Sequence, residues 1–304
     1  MPPVWALVAL ALPLLAQSPA AAQGGGRLSF LVISDLGGKG GTNQVAVAKQ
    51  MGRTAAAQKS SFVVTCGDNY HAEGIDRADS PRWKAEFEEV YKDRSLMIPW
   101  YATLGNHEYR GKPEAEIAYS KLSRRWKMPA RYYTHTEKVD GANEALFVHL
   151  DTAPFVSSYH KKGSSYHVEG QDAKAQLKWL ESVLAGSRAR WKLVVGHHPI
   201  YAAAGAHGDT KELVTEVLPV LERHGVQVYF CGHDHVLQHL VQGKVNFFVC
   251  GGGSTHRAVK ERPDVRFGAG SLGFLSMTLT AAEAEAAYIN DKGKELYRTR
   301  IPAR

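Results

Sequence analysis

Residues 231–235 read Cys-Gly-His-Asp-His and close the apolar run 226–231 with a glycine and two histidines one residue apart. A strand that stops at glycine can turn sharply and offer its next side chains at the edge of a sheet. Histidine is the commonest metal ligand. The arrangement recurs: the runs 28–33, 61–66, 96–104 and 191–195 end close to Asp35, Asp68, Asn106 and His197, each with a glycine within two residues. In α/β sheets ligands gather beyond the carboxyl ends of the strands. Asp68-Asn69 alone would read as an Asx-type turn, and Asn106 as a turn residue. Five strand ends that all offer Asp, Asn or His argue instead for one shared site. Mixed carboxylate, amide and imidazole donors suit Fe, Mn or Zn better than Ca or Mg. Six or seven such donors exceed what one four-coordinate ion with an open position takes, and they fit two ions. Two cations ~3.5–4 Å apart can clamp both oxygens of an in-line phosphoryl displacement.

The elements that must position these residues alternate. Strand-like runs at 28–33, 61–66 and 96–104 are separated by helical patterns at 43–58 and from Pro81, where Trp83, Phe87, Val90 and Tyr91 share one face. Pro99 argues for an edge strand or a bulge in the third run. A short helix is expected over 113–122 and strands over 131–136 and 145–150. A polar loop follows at 153–169, then a helix over 171–184, a strand at 191–195, a helix over 212–224 containing Pro219, and the strand 226–231. Strand-like runs at 236–241, 245–250, 274–279, 286–289 and 295–301 complete the chain, interrupted by a Gly-rich loop at 251–273. This order predicts an α/β fold, a four-layer αββα sandwich of two mixed sheets flanked by helices, in a single domain spanning 27–304.

The chain of 304 residues is long enough for a substantial core. Residues 1–22 are apolar from Val4 to Leu15 and end in Ala20-Ala21-Ala22, which reads as a secretory signal peptide. The apolar stretch is short for a membrane span, so the expectation is a soluble exported protein, periplasmic or extracellular, without stable membrane association after cleavage. The net charge of +7 survives cleavage, because residues 1–22 carry no charged side chain. A basic surface attracts anionic substrates such as phosphate esters. The basic residues form no block of the kind that binds nucleic acid. Cys66, Cys231 and Cys250 are an odd number, so at least one thiol is unpaired. All three close apolar runs and read as small buried hydrophobes, with a Cys66–Cys231 disulfide conceivable.

The motifs Asp35-Leu36-Gly37, Gly67-Asp68-Asn69, Gly105-Asn106-His107-Glu108, Val195-Gly196-His197-His198-Pro199 and Cys231-Gly232-His233-Asp234-His235, in that order, resemble the metallophosphoesterases. Within them the chain looks most like the low-molecular-weight, tartrate-resistant-type purple acid phosphatases. The loop Gly251-Gly252-Gly253 and Gly273-Phe274 share the likeness, which covers almost all of the mature chain. The resemblance implies a phosphomonoester hydrolase with two metal ions (Fe, Mn or Zn) and a metal-bound hydroxide as nucleophile, and a monomer is expected. Its substrate would be a small phosphorylated molecule or a phosphopeptide. Asp68 would bridge the metals, Asp35 and His235 would bind the first, and Asn106, His197 and His233 the second. His107 and His207 match the family's non-ligand histidines, which contact phosphate and protonate the leaving group, although His207 lies one residue further from the ligand histidine than in the family.

One position departs from the family. Its purple colour comes from a tyrosinate three residues after the bridging Asp, where this chain has His71, with Tyr70 one residue earlier. A one-residue slip on a strand or tight turn points a side chain elsewhere, so His71 is assigned as the ligand over Tyr70. Replacing phenolate by neutral imidazole favours divalent metals and implies a colourless centre working nearer neutral or alkaline pH. The sequence keeps two further readings open: a phosphodiesterase with the same donors, and a metal-loaded binding protein without catalysis. A protein serine/threonine phosphatase is disfavoured, because Gly37 stands where those enzymes carry a metal-binding histidine.

Overall fold

The computed structural model describes residues 26–204 and 206–304, so the expected leader at 1–22 lies outside the described residues. The strands in chain order are β1 (Leu28–Ile33), β2 (Phe62–Thr65), β3 (Trp100–Tyr101), β4 (Trp126–Lys127), β5 (Tyr133–Lys138), β6 (Glu144–His149), β7 (Trp191–Val195), β8 (Val228–Cys231), β9 (Leu237–Gln242), β10 (Val245–Cys250), β11 (Val265–Ala269), β12 (Gly273–Leu279), β13 (Glu283–Asn290) and β14 (Glu295–Pro302). They form two seven-stranded mixed sheets, ordered β14-β13-β12-β1-β2-β3-β4 and β11-β9-β10-β8-β7-β6-β5. β1 to β4 run parallel in the first sheet, as do β6, β7, β8 and β10 in the second. The αββα expectation holds.

The central strands are apolar on both faces because both faces are covered. In β1, Phe30 and Val32 point between the sheets, while Leu31 and Ile33 face helix α1 (Thr42–Gln58). In β8, Val228 and Phe230 point inward, and Tyr229 and Cys231 join an outer cluster with the later helices, α3 (Ala173–Gly186) and α4 (Leu218–Arg223). The remaining α-helix, α2 (Pro113–Tyr119), packs on the α1 side through Ala115 and Tyr119. The two sheets meet on an aromatic cluster. Phe30 stacks on Phe62 at 4.9 Å and meets the edges of Phe147 at 5.2 Å and Phe230 at 6.2 Å.

Several expectations need correction. The long strand at 96–104 shrinks to β3, preceded by a 3-10 turn at Arg94–Leu96. Pro99 does not mark an edge: its carbonyl accepts from Val63, and β4 pairs outside β3. The Gly-rich stretch 251–273 contains β11, which covers β9. The expected 212–224 helix splits into a wide π turn at Leu213–Val217 and α4, the break falling just before Pro219, which has no N–H to continue the ladder. All three cysteines are buried and unpaired, so the conceivable Cys66–Cys231 disulfide does not form.

Phe30 lies at the centre of the sheet-to-sheet contact and is fully buried. Phe30→Ala should cost about 3–5 kcal/mol, read as a lower urea midpoint at unchanged slope.

Candidate metal centre

The carboxyl ends of β1, β2, β3, β7 and β8 open at the same end of the sandwich, and each runs into one of the predicted motifs. Backbone hydrogen bonds stitch these loops together. Asp35 N donates to Gly67 O, Gly37 N to Asp68 O, Gly232 N to His197 O and Gly253 N to Ser34 O. Asp35, Asp68 and His233 have φ of 56°, 49° and 66°, in the left-handed region that non-glycine residues seldom occupy. Such strain persists where surrounding structure over-determines it, and it clusters at functional sites. The glycines are required by close approach. A Cβ at Gly232 would overlap Ser34 Oγ and Asp35 Oδ2, and one at Gly105 would overlap Asp68 Oδ1.

The structure gathers Asp35, Asp68, His71, Asn106, His197, His233 and His235 into two touching groups. In the first, His235 Nε2 lies 3.1 Å and His71 Nε2 3.9 Å from Asp35 Oδ1. In the second, His197 Nε2 lies 3.0 Å from Asn106 Oδ1, 3.4 Å from Asp68 Oδ1 and 3.2 Å from His233 Nδ1. Asp68 faces both, since its Oδ2 is 3.8 Å from His71 Nε2. Two sets of donor atoms in this cluster, Asp35–His71–His235 and Asp35–Asp68–His197, each lie within 4.8 Å of one another.

The chemistry of these atoms fits cations. His197 Nδ1 is 2.9 Å from the Cys66 carbonyl and must donate to it, leaving the Nε2 lone pair facing Asn106 Oδ1 and Asp68 Oδ1. Acceptors therefore converge on acceptors. Asp35 Oδ1 and His71 Nε2 are buried without a hydrogen-bond partner. Buried polar groups are ordinarily satisfied, and such a set is explained by an ion. The charges agree. Burial pushes Asp68 up, but His197 outweighs it and holds the carboxyl at about 2. Burial likewise opposes ionisation of Asp35, yet His235 and His71 hold it well below the usual range.

Tyr70 turns the other way. It is 1% exposed, with its ring edge-on to Trp83 at 4.9 Å, and burial pushes its phenol up. His71 instead points into the cluster, its ring 5.5 Å from that of His235.

Around the donors lies a second set of contacts. Glu108 Oε2 accepts from the amides of Asp68 at 3.0 Å and Gly105 at 2.6 Å, and Oε1 accepts from Tyr70 N at 3.2 Å. It ties the 67–71 loop to the 105–108 loop. Burial, then Asp68, raises its carboxyl to about 7. Asp234 accepts from the amides of His207 and Gly208, so the turn carrying His207 is anchored between the two histidine donors of its own loop. His207 is exposed, with its ring 4.0 Å from that of His233. His107 Nδ1 donates to Ala72 O at 2.8 Å, leaving Nε2 3.8 Å from Asp68 Oδ2. His198 is buried, with Nδ1 2.8 Å from Thr152 Oγ1 and Nε2 2.9 Å from the Tyr159 hydroxyl, so neither nitrogen is free for an ion. His239 is bonded to Tyr297 and Asn246 between strands and is structural. His160 binds the Pro154 carbonyl within its own loop.

The calcineurin-like phosphoesterase description matches residues 28–237, which span the whole set of motifs. The chain belongs to that family. It is 36% identical to purple acid phosphatase 7 of Arabidopsis thaliana over 92% of this chain and 87% of the relative. It is 35% identical to tartrate-resistant acid phosphatase type 5 of Rattus norvegicus over 97% of this chain and 95% of the relative. Among solved structures, GAP50, the anchor in the inner membrane complex of Plasmodium, superposes with a TM-score of 0.81 at 22% identity, covering 91% of this chain and 89% of that one, a likeness of fold.

Gly232→Ala tests the close packing of the loops. The added Cβ must displace Ser34 or Asp35, so the variant should take up less zinc or manganese by elemental analysis and unfold at a lower temperature than wild type.

Proposed function

We propose that the chain is an exported, metal-dependent phosphomonoester hydrolase. The observation that carries this reading is Asp68, a buried carboxylate with one oxygen toward each of two histidine groups, at the shared mouth of two sheets. The resemblance of the whole chain to acid phosphatases supports the same reading. The protein is read as a single domain after removal of 1–22. Among the described residues no helix is long and apolar enough to cross a membrane, which is compatible with release.

Asp35, His71 and His235 would hold one metal, Asn106, His197 and His233 the other, with Asp68 bridging. Two divalent cations, Fe, Mn or Zn, supply Lewis-acid charge neutralisation and the activation of water when bound there. The remaining work falls to the chain. The backbone amides that Glu108 accepts hold Asp68 and Gly105 in their turns, so the donors do not reorganise when substrate enters. His107, fixed by the Ala72 carbonyl, presents Nε2 to the cleft, where as the imidazolium it would hand a proton to the leaving oxygen; burial holds it below the usual imidazole range. A positioned acid of this kind is worth ~10²–10⁴-fold. His207, its ring 4.0 Å from that of His233 in a turn tied to Asp234, is the second contact for phosphate in this reading. The net charge of +7 favours encounter with a phosphate dianion.

Two measurements test this. Full-length mature protein, stripped by a chelator, should lose turnover and regain it with Zn or Mn, binding two ions per chain. His71→Ala should retain less metal, whereas Tyr70→Phe should retain the wild-type amount, and no visible tyrosinate band should appear in iron-loaded protein. Wild-type stoichiometry and affinity in His71→Ala would remove His71 from the donor set.

His107→Ala should lower kcat on p-nitrophenyl phosphate by ~10²-fold or more at wild-type metal content. A panel in which bis(p-nitrophenyl) phosphate outpaces the monoester would replace the monoesterase reading with a diesterase one. Unchanged kcat in His107→Ala would remove its assigned role.

A further inference from the structure

The polar loop at 153–169 carries a tyrosine that the spacing of the metal motifs does not single out. Tyr159 sits in a 3-10 turn at Ser157–His160 and is 9% exposed. Its ring packs on Tyr166 at 4.1 Å, and the Arg110 guanidinium covers Tyr166 and donates to its hydroxyl at 2.7 Å. The ring is thus held in a wall built from two separate loops. Its hydroxyl reaches His198, whose ring lies 4.6 Å from that of His233.

The direction of each proton in this wall follows from donor counting. Thr152 Oγ1 is 3.2 Å from the amide of His197 and 3.1 Å from that of His198. Both amides can only donate, so the threonine's own proton goes to His198 Nδ1 at 2.8 Å. His198 then carries its proton on Nε2, which donates to the Tyr159 oxygen at 2.9 Å. Tyr159 is therefore an acceptor in this chain, and its hydrogen remains to be given. Among the described residues no other hydrogen bond takes it. Burial, then Tyr166 and Asp68, push its phenol up, so the hydrogen stays in place at any working pH.

We propose that Tyr159 donates its hydroxyl hydrogen to a phosphoryl oxygen of the substrate, and that Thr152 and His198 are positioning residues that fix the direction of that donation. The inference rests on the phosphoester-hydrolase reading of the site and adds a neutral donor to the two histidines already assigned. Arg110, behind Tyr166, keeps the aromatic wall from tilting. A donor aimed at the phosphoryl group contributes whatever the leaving group is, whereas an acid acting on the leaving oxygen matters more as that group becomes poorer.

The test uses mature, metal-loaded protein and the variants Tyr159→Phe and Tyr159→Ala. Tyr159→Phe keeps the ring and should retain wild-type metal content and melting temperature. Its kcat/KM should fall about 10–100-fold, the range for a lost hydrogen bond to a charged group. The loss should be equal for p-nitrophenyl phosphate and phenyl phosphate. Inorganic phosphate, titrated calorimetrically, should bind about 10-fold more weakly or worse. If Tyr159→Phe matches wild type in both rate and phosphate affinity while only Tyr159→Ala is impaired, the residue acts through packing and the proposal is overturned. A loss that grows from p-nitrophenyl to phenyl phosphate would overturn it too, by assigning the proton to the leaving oxygen. Should wild-type protein hydrolyse no phosphomonoester, the functional reading falls, and the phosphate titration alone still decides for or against Tyr159.

Discussion

Two carboxylates, Asp35 and Asp68, are buried in the same pocket and both held ionised. Burying like charges together is costly unless positive charge offsets them. The surrounding groups supply it only by protonating histidines: burial works against a proton on His197, yet Asp68 raises that imidazole to about 9. A histidine in that state gives up the lone pair that its Cys66 hydrogen bond otherwise leaves facing the pocket. Cations resolve both demands at once, by neutralising the carboxylates and accepting the imidazole lone pairs. The left-handed turns, the glycines without room for a Cβ and the amides gathered on Glu108 all keep these atoms close enough for that demand to exist.

The two sheets divide the work. The first supplies Asp35, Asp68, His71 and Asn106 from the loops after three parallel strands, and the second supplies His197, His233 and His235 from two. Neither set is complete without the other. The distances across the pocket therefore depend on how the sheets sit on one another, which is fixed by the Phe30, Phe62, Phe147 and Phe230 contacts in the layer between them. Interiors packed to crystal-like density transmit small shifts rather than absorb them. Core packing here is part of the geometry of the centre.

What was legible in the sequence is what local rules write locally. A strand that stops at glycine beside Asp, Asn or His is a short-range signal, and its repetition in five places exposed both the layer order and the residues that meet at one end of the sandwich. That His71 and not Tyr70 faces the cluster was legible for the same reason, since neighbouring side chains diverge on a tight turn. β4 left no trace because two residues cannot show a period, and β11 was hidden by the glycines around it. The run at 96–104 overstated its strand because apolar residues there serve a turn and a two-residue bridge, not a ladder. Tyr159 was illegible in principle. Its significance comes from where Thr152 and His198 put their protons, and those partners lie in other loops.

The exchange of a tyrosinate position for His71 changes the charge of the pocket more than its shape. Tyr70 remains next to it, but its ring belongs to the core beside Trp83, and the Arg82 guanidinium stacks on it from 5.1 Å. Only Asp35 and Asp68 then bring negative charge to the donor set. Glu108 and Asp234 give their oxygens to backbone amides of the loops they brace and so are not free to join the donors. Two divalent cations held there would exceed the charge of the two carboxylates, and a ferric ion would raise that excess further. A positive pocket needs an anion to complete it, and a phosphate ester brings the required charge. On the proposed reading, the same count of carboxylates that suits divalent metals also suits a phosphate ester.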